Sequence, residues 1–251
     1  MKRARPNIAA LVLTALLSVA SARAAPPPSK FDPPAYLPIA PLTSGTSVKP
    51  VSFTKVATLI PGGETWAIIA DAQCKAPQSK TWTGHATGMG SAADLKRVFQ
   101  EEAQGAGFQV SGGPADLFEA AKPGTHKSAN LKVGALITGL HLRLCAGPQA
   151  KGVRGVAMKA KGSLVMTVEW QIYSKSAGQV LAKITTDGGD KLAVAAPAAG
   201  EVLRQKAFAQ NTRALFAQDG FRALILGTDE TPDPPPARHG RSPRTRHGPS
   251  G

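Results

Sequence analysis

Between residues 164 and 173, large apolar and polar side chains alternate without a break. Leu164, Met166, Val168, Trp170 and Ile172 share one face, while Thr167, Glu169 and Gln171 share the other. A period of two marks a strand with one dry and one wet side. Residues 174–178 predict a turn and 179–186 the returning arm of a hairpin. Residues 133–145 alternate as well, which puts Leu136, Leu140, Leu142 and Leu144 on one face and Ile137, His141, Arg143 and Cys145 on the other. Upstream, residues 51–60 alternate through Val51, Phe53, Lys55, Ala57 and Leu59. The turn Pro61-Gly62-Gly63 separates them from a short apolar strand at 65–72.

Helical spacing interrupts this pattern twice. Ser91-Ala92-Ala93-Asp94 predicts a capping box, in which hydroxyl and carboxylate satisfy the free amides of a helix start. Leu95, Val98, Phe99, Ala103 and Ala106 then fall on one face, with Lys96, Arg97, Glu101 and Gln104 turned away. Gly105 and Gly107 stop this helix, residues 108–110 open another strand, and 116–121 fit one helical turn. A last helix is predicted over 198–218, ended by Gly220, with 221–226 as a final apolar contact. The order β-β-α-β-β-β-β-α predicts an α+β two-layer sandwich, a mainly antiparallel sheet with two helices packed on one face.

The ends of the chain change this picture. Residues 1–24 carry Lys2, Arg3 and Arg5, an uncharged apolar run from Ile8 to Leu17, and Ala22-Arg23-Ala24 before Ala25. That is the layout of a cleavable export signal, too short in its apolar part to span a bilayer. It predicts a periplasmic or secreted protein. Residues 25–50 are proline-rich and predict an extended linker with one edge strand at 36–42. Residues 51–227 form the domain. From 228 to 251 no Val, Ile, Leu, Met, Phe, Trp or Tyr occurs, while prolines and Arg-His pairs cluster. Such a segment predicts a disordered basic tail. Its abrupt composition is also what an interrupted reading frame would leave.

The formal charge of +14 overstates what the folded part carries. Between residues 25 and 227, 22 Lys/Arg against 13 Asp/Glu leave +9, with no basic helical stripe and few aromatics. Nucleic acid is therefore not an expected partner. Weak electrostatic contact with anionic envelope surfaces is the most that charge alone implies.

Candidate chemistry is sparse. Cys74 and Cys145 are the only cysteines, each ending an apolar run, and an even pair in an exported protein predicts one disulfide. Three histidines lie in the folded region. His85 sits in the glycine-rich loop 84–90, His126 in a Gly-Thr-His-Lys loop, and His141 on a strand beside Arg143, where a solvated imidazole is expected. No His-Glu-x-x-His or metal-ligand spacing occurs. The 84–90 loop lacks the lysine of a phosphate-binding loop, and Asp187-Gly188-Gly189-Asp190 predicts a turn after the hairpin. No catalytic, metal or cofactor-binding residue is expected.

Several stretches resemble a known family. They are Val168-Glu169-Trp170-Gln171-Ile172-Tyr173-Ser174, Gln179-Val180-Leu181-Ala182, Val98-Phe99-Gln100-Glu101-Glu102, Ala106-Gly107-Phe108 and Ile137-Thr138-Gly139-Leu140 leading to Leu144-Cys145. Together they resemble the N-terminal accessory region of exported bacterial trypsin-like serine peptidases, over residues 51–226. The resemblance implies a peptidase domain beginning after Gly227, with a His, Asp and Ser triad. Nothing of that triad is in this chain. The expected function is thus a non-catalytic interaction or accessory module with a protein partner in the cell envelope, and the resemblance implies the remnant of a truncated peptidase. The competing expectations are a hydrolase using His85 or His141 as base, and a cationic envelope-binding protein relying on its tail.

Overall fold

The computed structural model describes residues 29–43, 45–84, 91–111, 129–147 and 159–227. The signal segment, the tail, His85, His126 and the predicted turn at 116–121 lie outside the described residues. Within them the fold is the expected α+β two-layer sandwich. Its strands are β1 (Val51–Thr58), β2 (Thr65–Ala70), β3 (Gln78–Thr81), β4 (Leu131–Ala146), β5 (Lys159–Ser174) and β6 (Gln179–Pro197). The helices are α1 (Ala92–Gly105), α2 (Ala199–Phe216) and α3 (Asp219–Leu226).

The sheet runs β3-β2-β4-β5-β6, with β1 alongside β4. Three pairings are antiparallel: β2 with β3, β4 with β5 and β5 with β6. Strand β4 is long enough to serve two parallel neighbours in turn, β1 along 131–137 and β2 along 142–145. The inner face of β5 is as expected, with Leu164, Met166, Val168, Trp170 and Ile172 all buried.

Bulges correct two face assignments. Ile137 and Leu140 are both buried because the β4–β5 register shifts between Ile137 and Gly139. Leu136 therefore belongs to the outer face and Ile137 to the core. In β1 a shift between Phe53 and Lys55 leaves Thr54 as the extra residue, so Lys55 turns outward and Val56 packs against the core. An inserted residue reverses a period of two, which the side-chain pattern alone does not reveal.

Residues 187–190 are not a turn, since β6 continues through them opposite Thr167 to Leu164. Gly188 is there because α2 crosses close above it: an added Cβ would lie 2.5 Å from the Ala207 carbonyl oxygen. The last helix also differs. Gln218 adopts an extended conformation, which breaks α2 from α3, and Gly220 falls inside α3. Arg222 Nε donates to the Phe216 carbonyl and satisfies the end of α2. Strand β3 was not anticipated; its four residues are all exposed. Of 108–110 only Val110 pairs, as a single bridge to Val51.

The capping box forms: Ser91 Oγ accepts from the Asp94 amide and Asp94 Oδ2 accepts from the Ser91 amide. Helix α2 lies between the sheet, α1 and the N-terminal segment, so it buries polar side chains as well as apolar ones. Asn211 is the key one. Trp170 Nε1 donates to Thr186 Oγ1, which donates to Asn211 Oδ1, and Asn211 Nδ2 donates to the Met166 and Ala207 carbonyls. Every buried polar atom of that chain is satisfied, which ties α2 to β5 and β6 in one register.

Candidate interaction site

The proline-rich segment is a strap. It forms no strand at 36–42; the backbone of those residues bonds to helices instead of a sheet edge. The Leu37 amide donates to Gln210 Oε1, the Leu42 amide to the Ala106 carbonyl, and Arg222 donates to the Ala40 carbonyl. Arg213 of α2 joins strap and helices. It forms a two-pronged ion pair with Glu102 of α1 at 2.6 and 2.8 Å and also donates to Tyr36 Oη. The Glu102 bond, opposed by burial, holds the guanidinium above its already high range.

Residues 31–33 touch the other side of the sheet. Ser163 Oγ donates to the Phe31 carbonyl, the Phe31 ring stands edge-on to His141, and Pro33 packs at Gly189. The strap thus passes from the outer face round the β6 edge to the helices. Covering an edge with a loop removes a template for unwanted strand pairing.

His141 is not the solvated imidazole that its neighbour Arg143 suggests. Its side chain is 15% exposed and Nδ1 is buried without a hydrogen-bond partner, while Nε2 lies 4.0 Å from Glu64. Burial lowers its pKa, Lys30 adds to the effect, and Glu64 and the Thr65 backbone oppose it. The signal missing from the sequence was Phe31, 110 positions away and within the presumed linker. His141 is the one histidine among the described residues, and the groups facing it are an aromatic ring, a carboxylate and an ammonium.

The predicted disulfide is present, joining Cys74 and Cys145 with Cα atoms 4.9 Å apart. Cys145 pairs in register with Ala70, the last residue of β2. Cys74 is not at a strand end, however. It sits on a turn with φ 63°, folded back by Asp71, whose Oδ1 accepts from the Gln73 and Lys75 amides.

Among the described residues no helix covers the outer face of the sheet, and two depressions mark it. One, of about 500 Å³, lies at the β5–β6 turn end and is lined by Lys55, Lys132, Leu136, Gln171, Tyr173 and Val180 among others. The other, of about 430 Å³, lies beside the disulfide and is lined by Arg143, Lys161, Ser163 and Lys191, with Asp32 at its rim. Register explains this cleft: Arg143 pairs with Ser163 and Ser163 with Lys191, a row across three strands, and Lys161 stands opposite Cys145. Gly162 lets β5 bend there, for an added Cβ would lie 1.9 Å from the Arg143 carbonyl oxygen. No cluster of three metal-ligating side chains occurs among the described residues. Nor is any helix among them long and apolar enough to cross a membrane.

No family model matches the chain, and no curated protein matches its sequence. Solved structures overlap it weakly. A Xanthomonas campestris protein of the DUF330 family aligns over 78% of this chain and 95% of its own, at 11% identity and a TM-score of 0.40. A minor lipoprotein from Acinetobacter baumannii covers 69% and 93% at 10% identity, TM-score 0.29. The PelC dodecamer of Paraburkholderia phytofirmans covers 71% and 95% at 10% identity, TM-score 0.29. Overlaps at these scores carry no functional argument to this chain.

Proposed function

We propose that this chain is exported and that its α+β domain is a non-catalytic interaction or accessory module of the cell envelope. The observation that carries the proposal is the one-sided sheet, whose helix-free outer face holds two open depressions while its one described histidine faces no nucleophile. A nucleophile needs a base within hydrogen-bond reach, held by a third group. The disulfide supports the export half, since such bonds persist in oxidising compartments. The likeness to a peptidase accessory region belongs to the same class of function. The test is fractionation followed by assay. The mature protein should start at Ala25 outside the cytoplasm, with neither thiol free to label. It should hydrolyse peptide and ester substrates no faster than a mock preparation, with or without zinc. Recovery in the cytosol would overturn export, and turnover abolished by His141→Ala would overturn the non-catalytic reading in favour of a hydrolase.

A further inference from the structure

The corner of the sheet that carries the disulfide cleft has a second unusual feature. In β6 the residues Ala193, Val194 and Ala195 stand opposite the single residue Lys161 of β5, because Leu192 pairs with Gly162 and Ala196 with Ala160. Extra residues of this kind leave the ladder and re-aim their side chains. Val194 is accordingly 80% exposed, more than any other large apolar side chain described. At the foot of the bulge lie Arg143, Lys161 and Lys191, none of which has an ion-pair partner among the described residues. The one carboxylate at the rim, Asp32, already accepts a hydrogen bond from the Ser29 amide.

Three cations against the single carboxylate of Asp32 leave the cleft net positive, which attracts anions. A small soluble anion has no use for a projecting valine and its flanking alanines, and a protein partner would call for larger aromatic anchors. Cations beside a projecting apolar tip match a lipid surface, where the charges reach phosphates and the tip enters the headgroup region. We propose that this corner docks on the phosphate headgroups of an anionic bilayer, with Arg143, Lys161 and Lys191 receiving the phosphates and Val194 entering the interface. The proposal deepens, and rests on, the reading of the domain as an envelope interaction module.

Flotation of the purified exported protein tests it, using vesicles of phosphatidylcholine alone and of phosphatidylcholine with phosphatidylglycerol. The parent should float only with the anionic vesicles, and less as salt is raised. The triple variant Arg143→Gln/Lys161→Gln/Lys191→Gln should lose about a hundredfold in partitioning, roughly fivefold per cation. Val194→Ser should lose about fivefold to tenfold. Lys49→Gln/Lys96→Gln/Lys183→Gln, equal in charge but exposed elsewhere and lining neither depression, should change by less than about threefold. Thermal melting checks that each variant folds, and Lys161→Gln alone, with its fivefold loss, replaces the triple if that one does not. Equal losses in the two triple variants, or no flotation of the parent, would overturn the proposal. Displacement of the parent by inorganic phosphate, but not by chloride at equal ionic strength, would overturn it in favour of a soluble-anion site. Each failure leaves export and the hydrolysis assay untouched, so the two proposals fail separately.

Discussion

The two faces of β5 belong to one strand yet are held by opposite means. On the inner side five apolar residues from Leu164 to Ile172 are buried under α1 and α2, and the Trp170 ring packs among Phe53, Phe99 and Phe208. Its polar atom is satisfied through Thr186 and Asn211. The outer side carries Thr167, Glu169, Gln171 and Tyr173, with local bonds such as Thr167 to Asp187 and Gln171 to Glu169. Stability therefore resides inside, where area is removed from water and every polar group is paired. The outer face is left free to vary, and binding surface is drawn from such places.

The sharpest way to break that comparison is to truncate neighbouring residues of β5. Trp170→Ala should lose roughly 3–5 kcal/mol through lost burial and a cavity. Gln171→Ala, one residue along and on the other face, should stay within about 0.5 kcal/mol. Denaturant titration of the two variants checks both, and equal losses would mean the outer face is covered in the folded protein.

The disulfide lies at the outer-face cleft and should rank next. It closes a sequence separation of 71 residues, so Cys74→Ser/Cys145→Ser should cost about 2–4 kcal/mol, mainly by freeing the unfolded chain. Gly188→Ala should follow, at about 1–3 kcal/mol from forced overpacking. The added methyl would meet the Ala207 carbonyl and the Asn211 amide of the α2 backbone as well as the Asn211 side chain, so turning that side chain alone would not relieve it. If Gly188→Ala melts with the parent, α2 does not sit as close to β6 as the structure places it.

How far the sequence told this in advance follows from the range of each interaction. The β5 face, the hairpin, the capping box and the α1 face were legible because neighbours three or four apart, or two apart, decide them. The disulfide was legible because two cysteines leave one pairing. The outer-face cleft was not, because Arg143, Lys161 and Lys191 meet only through strand register, and Asp32 reaches them only through the strap. That strap reads as a linker on proline content, while the hydrogen bonds that dock it, such as Leu37 to Gln210, span 173 positions. Gly188 reads as a turn residue for the same reason: its true neighbour, Ala207, is on another element.

The smallest effect should appear where the two faces share the strap, at His141. Its ring is packed by Phe31 and its pKa is lowered, first by burial and then by Lys30, against the pull of Glu64 and the Thr65 backbone. The folded state thus prefers neutral imidazole more than the unfolded chain does. Above the unfolded value of about 6.5 both states hold a neutral ring, and the packing contribution is whole. As pH falls from there toward the lowered folded value, the unfolded chain binds a proton that the folded one refuses, so stability declines. Below the folded value both are charged and the loss levels off. Other carboxylates and histidines titrate as well, so the measurement is a difference: unfolding free energy against pH for the parent minus that for His141→Gln. The difference should be constant above neutrality and shrink between pH 6.5 and the folded value. A difference that grows on acidification would mean that Glu64 outweighs burial and that the ring is held charged.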